Sequence, residues 1–112
     1  ILGYSQGCPM ATVYIANSNA SFEKAFLFNG YLPTTHSGLN DTINEVAPLD
    51  VDALIFGGAN DVFMFGVQEL AGVYHEPTIV ISSTADHYLP FSDDEAYGDV
   101  LAFFREGTNG NL

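Results

Sequence analysis

Five residues near the start of the chain, Gly3-Tyr4-Ser5-Gln6-Gly7, have the spacing G-x-S-x-G. That spacing suits a serine on a strand-to-helix turn so tight that side chains two positions before and after it would collide, hence Gly3 and Gly7. The turn strains the serine backbone, lifts its hydroxyl above the strand and aims the next helix N-terminus at the same spot. A hydroxyl becomes a nucleophile beside a base, and the base needs an acid to hold its tautomer. Of three histidines, His36 lies in the polar stretch Thr34-Thr35-His36-Ser37-Gly38 and reads as a solvated loop residue. His75, before Glu76-Pro77, reads as a cap on the negative end of a helix. His87 follows a β-branched run, in Thr84-Ala85-Asp86-His87-Tyr88. Loops after the carboxyl ends of parallel strands line a site, so His87 is the expected base. For the acid, Asp61 in Gly57-Gly58-Ala59-Asn60-Asp61 follows the preceding run and falls at the same edge. Asp86 adjoins His87, but neighbouring side chains on an extended segment point to opposite faces, which makes it the poorer partner. Ser5, Asp61 and His87 then follow one of the chain orders in which such triads occur.

Three groups so far apart in sequence need a sheet to bring them together. Residues 24–31 and 51–56 are short apolar runs closed by Gly or Pro, and 78–82 is β-branched and entered from Pro77. Ile1-Leu2, directly before the glycine turn, reads as the end of one more strand. Near-continuous apolar character, without in-out alternation, predicts parallel strands covered on both faces. Helices are expected from Pro9 to about Asn17, over 63–74, around 41–46, and after Ser92-Asp93-Asp94-Glu95, which has the form of a capping box. That last helix is expected to bury Tyr97, Val100, Leu101 and Phe104 and to stop near Gly107. The alternation predicts an α/β fold of about four parallel strands, the first one truncated, with flanking helices.

Composition narrows the partners. The 112 residues suffice for one small unit, and 47% hydrophobic content is that of a globular chain. Two basic residues against fourteen acidic ones give a net charge of −12, which argues against nucleic acid and against anionic membrane surfaces. Cys8 is the single cysteine, so neither an internal disulfide nor a cysteine-based zinc site is available. Beside the turn it reads as a small buried apolar residue. Asp93-Asp94-Glu95 reads as a helix cap rather than a cation site, and no metal or cofactor is expected. No apolar run is long enough for a membrane span. The lone thiol and the lack of a visible leader lean towards a cytoplasmic location.

Taken in order, Gly3-Tyr4-Ser5-Gln6-Gly7, Phe28-Asn29-Gly30-Tyr31-Leu32-Pro33, Gly58-Ala59-Asn60-Asp61 and Asp86-His87-Tyr88-Leu89-Pro90 resemble the C-terminal half of an α/β-hydrolase. The similarity is strongest to the fungal-type serine hydrolase (FSH) family, related to small carboxylesterases and thioesterases. It covers essentially the whole chain and departs at Asp86, where those relatives typically carry Gly before the histidine. The resemblance implies cleavage of a small acyl ester or thioester by Ser5, His87 and Asp61, with the Gln6 backbone N–H in the oxyanion hole and no cofactor. It implies one unit, the C-terminal half of an α/β-hydrolase domain, with the N-terminal strands and a second oxyanion donor absent. The expected partners are the substrate and either a separate N-terminal half chain or a second copy across the open strand edge. The alternative is a non-catalytic α/β binding or assembly module that keeps the turn as a relic. A flavodoxin-like binder has no phosphate loop in the sequence to support it.

Overall fold

Each of the apolar runs forms a strand in the computed structural model, which describes residues 1–106. The strands β1 (Leu2–Tyr4), β2 (Lys24–Phe28), β3 (Asp52–Gly58) and β4 (Thr78–Ser82) lie side by side in chain order, all parallel. The register sets Leu2 beside Phe26, Phe26 beside Leu54, and Phe56 beside Val80. With a side-chain period of two, these residues share one face of the sheet, and Ala25, Leu27, Ala53 and Ile55 share the other.

Helices α1 (Gly7–Asn17), α2 (Ser37–Val46) and α3 (Phe65–Ala71) make the crossovers, and α4 (Tyr97–Arg105) follows β4. Every crossover steps in the same direction along the sheet, and crossovers share one hand, so the three helices fall on one face. Cys8, Ala11, Ile43, Val67 and Leu70 from these helices form one buried cluster with Ala25, Leu27, Ala53 and Ile55. Helix α4 covers the opposite face, where Ala96 and Phe103 pack with Phe28, Leu54, Phe56 and Val80. The α/β architecture expected from the sequence is the one observed.

Several boundaries differ for local reasons. β2 stops at Phe28 because Asn29 turns into the left-handed region, φ 56°. Helix α2 starts at Ser37, earlier than expected, because the His36 ring caps it: Nδ1 accepts the Leu39 N–H at 3.2 Å. Helix α3 is confined to Phe65–Ala71, within the expected 63–74. The acidic run at 93–95 is not a capping box, since α4 begins only at Tyr97 and Ala96 at its N-cap offers no side-chain acceptor. Instead Asp94 accepts from the Ser82 hydroxyl at 2.6 Å, and Glu95 accepts from Ser83, tying the loop to the end of β4. The buried face of α4 is correspondingly Ala96, Val100 and Phe103, and Phe104 is 62% exposed. The expected stop near Gly107 lies outside the described residues.

Close backbone approach at the start of α1 fixes where that helix sits. A Cβ on Gly30 would lie 2.1 Å from the Cys8 Cβ, and one on Gly66 would lie 1.7 Å from the Gly30 carbonyl oxygen. Thus the Cys8 side chain of α1 packs on the bare backbone of the turn after β2, which in turn meets the bare backbone of the first turn of α3. Gly3 is equally constrained, since a Cβ on it would lie 2.6 Å from the Gly7 carbonyl oxygen, whereas a Cβ on Gly7 meets open space among the described residues. The collision expected at both glycines of the turn therefore falls on Gly3 alone. Gly66→Ala and Gly3→Ala are each expected to lower stability by about 1–3 kcal/mol through overpacking. Gly7→Ala should stay within about 0.5 kcal/mol of the parent. Urea unfolding midpoints of the three variants check this order.

Candidate active site

Ser5 occupies the turn between β1 and α1 with φ 55°. A left-handed backbone costs an L-residue about 1–2 kcal/mol, so neighbouring bonds must hold it there. The Ser5 N–H donates to the Phe28 carbonyl at 2.8 Å, and the Ser5 carbonyl accepts the Cys8 N–H at 3.0 Å. Gln6 follows at the N-cap of α1, whose first turn has no side-chain cap. Cys8 spends its N–H on the Ser5 carbonyl and Pro9 has none, so the Gln6 and Gly7 N–H groups are the ones left for a ligand oxygen, on the positive end of the helix dipole.

Three side chains, from the segments after β1, β3 and β4, meet above the carboxyl ends of the strands. The Ser5 hydroxyl lies 2.8 Å from His87 Nε2, and His87 Nδ1 lies 2.8 Å from Asp61 Oδ2. The Asp61 side chain is 1% exposed and the His87 ring 28%, so the acid is enclosed while the imidazole reaches the surface. Burial alone would raise the Asp61 carboxyl. The Phe63 N–H at 2.9 Å, the His87 ring and the Asn29 amide at 3.2 Å outweigh it and leave the carboxyl below its ordinary value. An ionised Asp61 takes the proton-bearing Nδ1, which leaves the Nε2 lone pair facing the serine hydroxyl.

A second set of residues holds these three in place, and the sequence reading did not single it out. Buried Asn29 uses one amide nitrogen twice, donating to Asp61 Oδ2 and to the Asp86 carbonyl at 3.1 Å. It thus ties the acid to the loop that carries the base. The signal was available: Asn29-Gly30 after an apolar run marks a turn, and Asn tolerates positive φ. Tyr4 donates its hydroxyl to the His87 carbonyl at 2.7 Å, with its ring 5.4 Å from the imidazole. Phe63 flanks the imidazole, its ring centre 5.2 Å away. Asp86 turns its carboxylate to the His87 backbone N–H at 2.7 Å, so it braces the loop and leaves the ring to Asp61.

The remaining reactive side chains lie elsewhere. Cys8 is fully buried, and its thiol donates to the Gly3 and Phe28 carbonyls at 3.4 Å. Burial pushes that thiol up to about 12, which keeps it protonated. His36 is the α2 cap, and His75 is exposed, 3.8 Å from Glu76 Oε2.

A protein family described as "Serine hydrolase (FSH1)" matches residues 1–97, from the strand before Ser5 to the first residue of α4. No curated protein matches the sequence. The match spans every element that contributes to the site and most of the chain, and on that ground the chain belongs to the FSH1 serine hydrolase family.

Proposed function

We propose that the protein cleaves a carboxylic ester or thioester through a serine nucleophile. The observation that carries this reading is the continuous hydrogen-bonded line from Ser5 Oγ through the imidazole to buried Asp61. In this reaction Ser5 Oγ attacks the acyl carbonyl carbon while His87 Nε2 takes the hydroxyl proton. The carbonyl oxygen becomes an oxyanion near the start of α1, where the Gln6 N–H and the helix dipole offset its charge. As the tetrahedral adduct collapses, His87 returns its proton to the leaving alcohol or thiol and Ser5 retains the acyl group. Water then attacks the acyl-serine by the same route in reverse, releasing the acid and restoring the hydroxyl. Asp61 keeps the imidazole in the useful tautomer and stabilises its cation without accepting the proton. Asn29, Tyr4 and Asp86 act as positioning residues through Asp61 and the His87 loop.

A fluorophosphonate probe should label Ser5 in the full chain, with labelling abolished in Ser5→Ala; an unlabelled folded protein would favour the non-catalytic module. Asp61→Asn should lower kcat by a factor on the order of 10⁴ by presenting the wrong tautomer. Asn29→Ala removes a donor to a charged group and should lower kcat by roughly 10- to 100-fold. Circular dichroism confirms that these variants fold.

The pH dependence of stability has a definite sign. Asp61 is lowered in the folded protein, so the unfolded chain binds a proton first as the pH falls. Its stabilisation is complete above the ordinary carboxylate value, about pH 4, and disappears as the pH drops through the lower folded value. Asp61→Asn removes that component. Urea midpoints between about pH 5 and about pH 2 should therefore fall more steeply for the parent than for the variant.

A further inference from the structure

A groove of about 890 Å³ opens directly beside the candidate nucleophile. One wall is a single face of α1: Gln6, Pro9, Met10, Val13, Tyr14 and Asn17 recur at helical spacing from the residue after Ser5 to the end of the helix. At 1.5 Å per residue, the run from Gln6 to Ser18 makes the groove about 18 Å long. The opposite wall is formed by Leu32 and Leu39, with Phe63 and Phe65 nearest the site. An aromatic path joins the groove to the chemistry. The imidazole lies against Phe63, whose ring centre is 5.3 Å from Tyr31 and 6.1 Å from Phe65. Met10 is 70% exposed, Phe65 55% and Tyr14 53%, so the walls hold large apolar side chains that nothing among the described residues covers. Asn17, Thr34, His36 and Glu69 also line the groove, the Glu69 carboxylate accepting the Leu32 N–H at 3.0 Å, but its large side chains are apolar, and such a site suits an apolar chain.

Charge defines the other side of the substrate. Lys24 and Arg105 are the only lysine and arginine of the chain. Lys24 begins β2, at the sheet edge opposite the site, and its ammonium donates to the Phe103 and Phe104 carbonyls near the end of α4, where Arg105 also lies. Neither flanks the mouth of the groove, and the protein carries a net charge of −12. A phosphate-bearing leaving group would be repelled without a cation to receive it.

We infer that the substrate is an uncharged ester or thioester of a medium- to long-chain fatty acid, with its alkyl chain seated along α1. The acyl carbonyl sits at Ser5 and the leaving group carries no phosphate. This deepens the serine-nucleophile reading and rests on it for turnover, while alkyl-chain binding stands independently.

The test follows kcat/KM of the full chain on p-nitrophenyl acetate, octanoate and dodecanoate. Each methylene taken from water is worth about three- to fourfold, so even partial burial predicts a rise on the order of 10- to 100-fold from acetate to dodecanoate. Met10→Glu and Leu39→Glu should each cut the dodecanoate-to-acetate ratio tenfold or more. Phe104→Glu, on α4 across the sheet, should leave the ratio unchanged. Dodecanoyl-N-acetylcysteamine should be cleaved faster than dodecanoyl-CoA, with the gap narrowing as salt rises. Methyl decanoate titrated into Ser5→Ala should shift the Met10 methyl signal in NMR spectra. Hydrolysis of acetate with no gain for longer chains and no shift at Met10 overturns the groove assignment and leaves the nucleophile reading standing. A shift at Met10 with no Ser5-dependent turnover does the reverse. Preference for the CoA thioester overturns the exclusion of phosphate.

Discussion

The left-handed turn at Ser5 is the constraint on which the rest of the molecule depends. It exists because Gly3 leaves room where a Cβ would lie 2.6 Å from the Gly7 carbonyl oxygen, and because Phe28 supplies the carbonyl that holds the Ser5 N–H. The same tightness brings the Cys8 side chain of α1 against bare Gly30, and the Gly30 carbonyl against bare Gly66, so three consecutive crossover units pack closely at the site. Interiors packed at this density deform little. A hydroxyl raised on such a base keeps its position when a substrate arrives, and reactions that depend on alignment gain most from that.

Enclosure and exposure are divided among the three central groups in a way that suits proton transfer. Asp61 is sealed in but satisfied by three donors, which keeps it ionised despite its burial. The imidazole stands between that fixed charge and the solvent-facing serine. Its own loop is braced at both main-chain groups: the carbonyl by Tyr4 and the N–H by Asp86. Residue 86 therefore does structural work that a glycine would leave to other groups.

Much of this was legible in the sequence because it rests on local rules. Apolar runs ended by Gly or Pro gave the strands, the glycine spacing around Ser5 gave the turn, and loop position after each run selected Asp61 and His87. What was not legible depends on contacts between distant segments. Asn29 falls in a run that reads as a strand, and nothing local says that its amide spans Asp61 and the Asp86 carbonyl. The acids at 93–95 match a helix start in spacing, but they meet Ser82 and Ser83 instead, a competition that only the folded sheet creates. Phe104 stands at helical spacing from Tyr97, Val100 and Leu101, but the stripe that meets the sheet is Ala96, Val100 and Phe103, and spacing alone does not choose between two stripes one position apart.

The strands are laid down in chain order, each beside the one before it. A ribosome delivers polypeptide from the amino end, and early units can dock as they emerge. The elbow serine is then in place long before residue 87 has been synthesised, and the last strand and its loop bring the imidazole. Until β4 and its loop join, the hydroxyl has no imidazole within hydrogen-bonding reach. The order of the sheet thus defers the Ser5–His87 hydrogen bond until residue 87 has followed β4 into place.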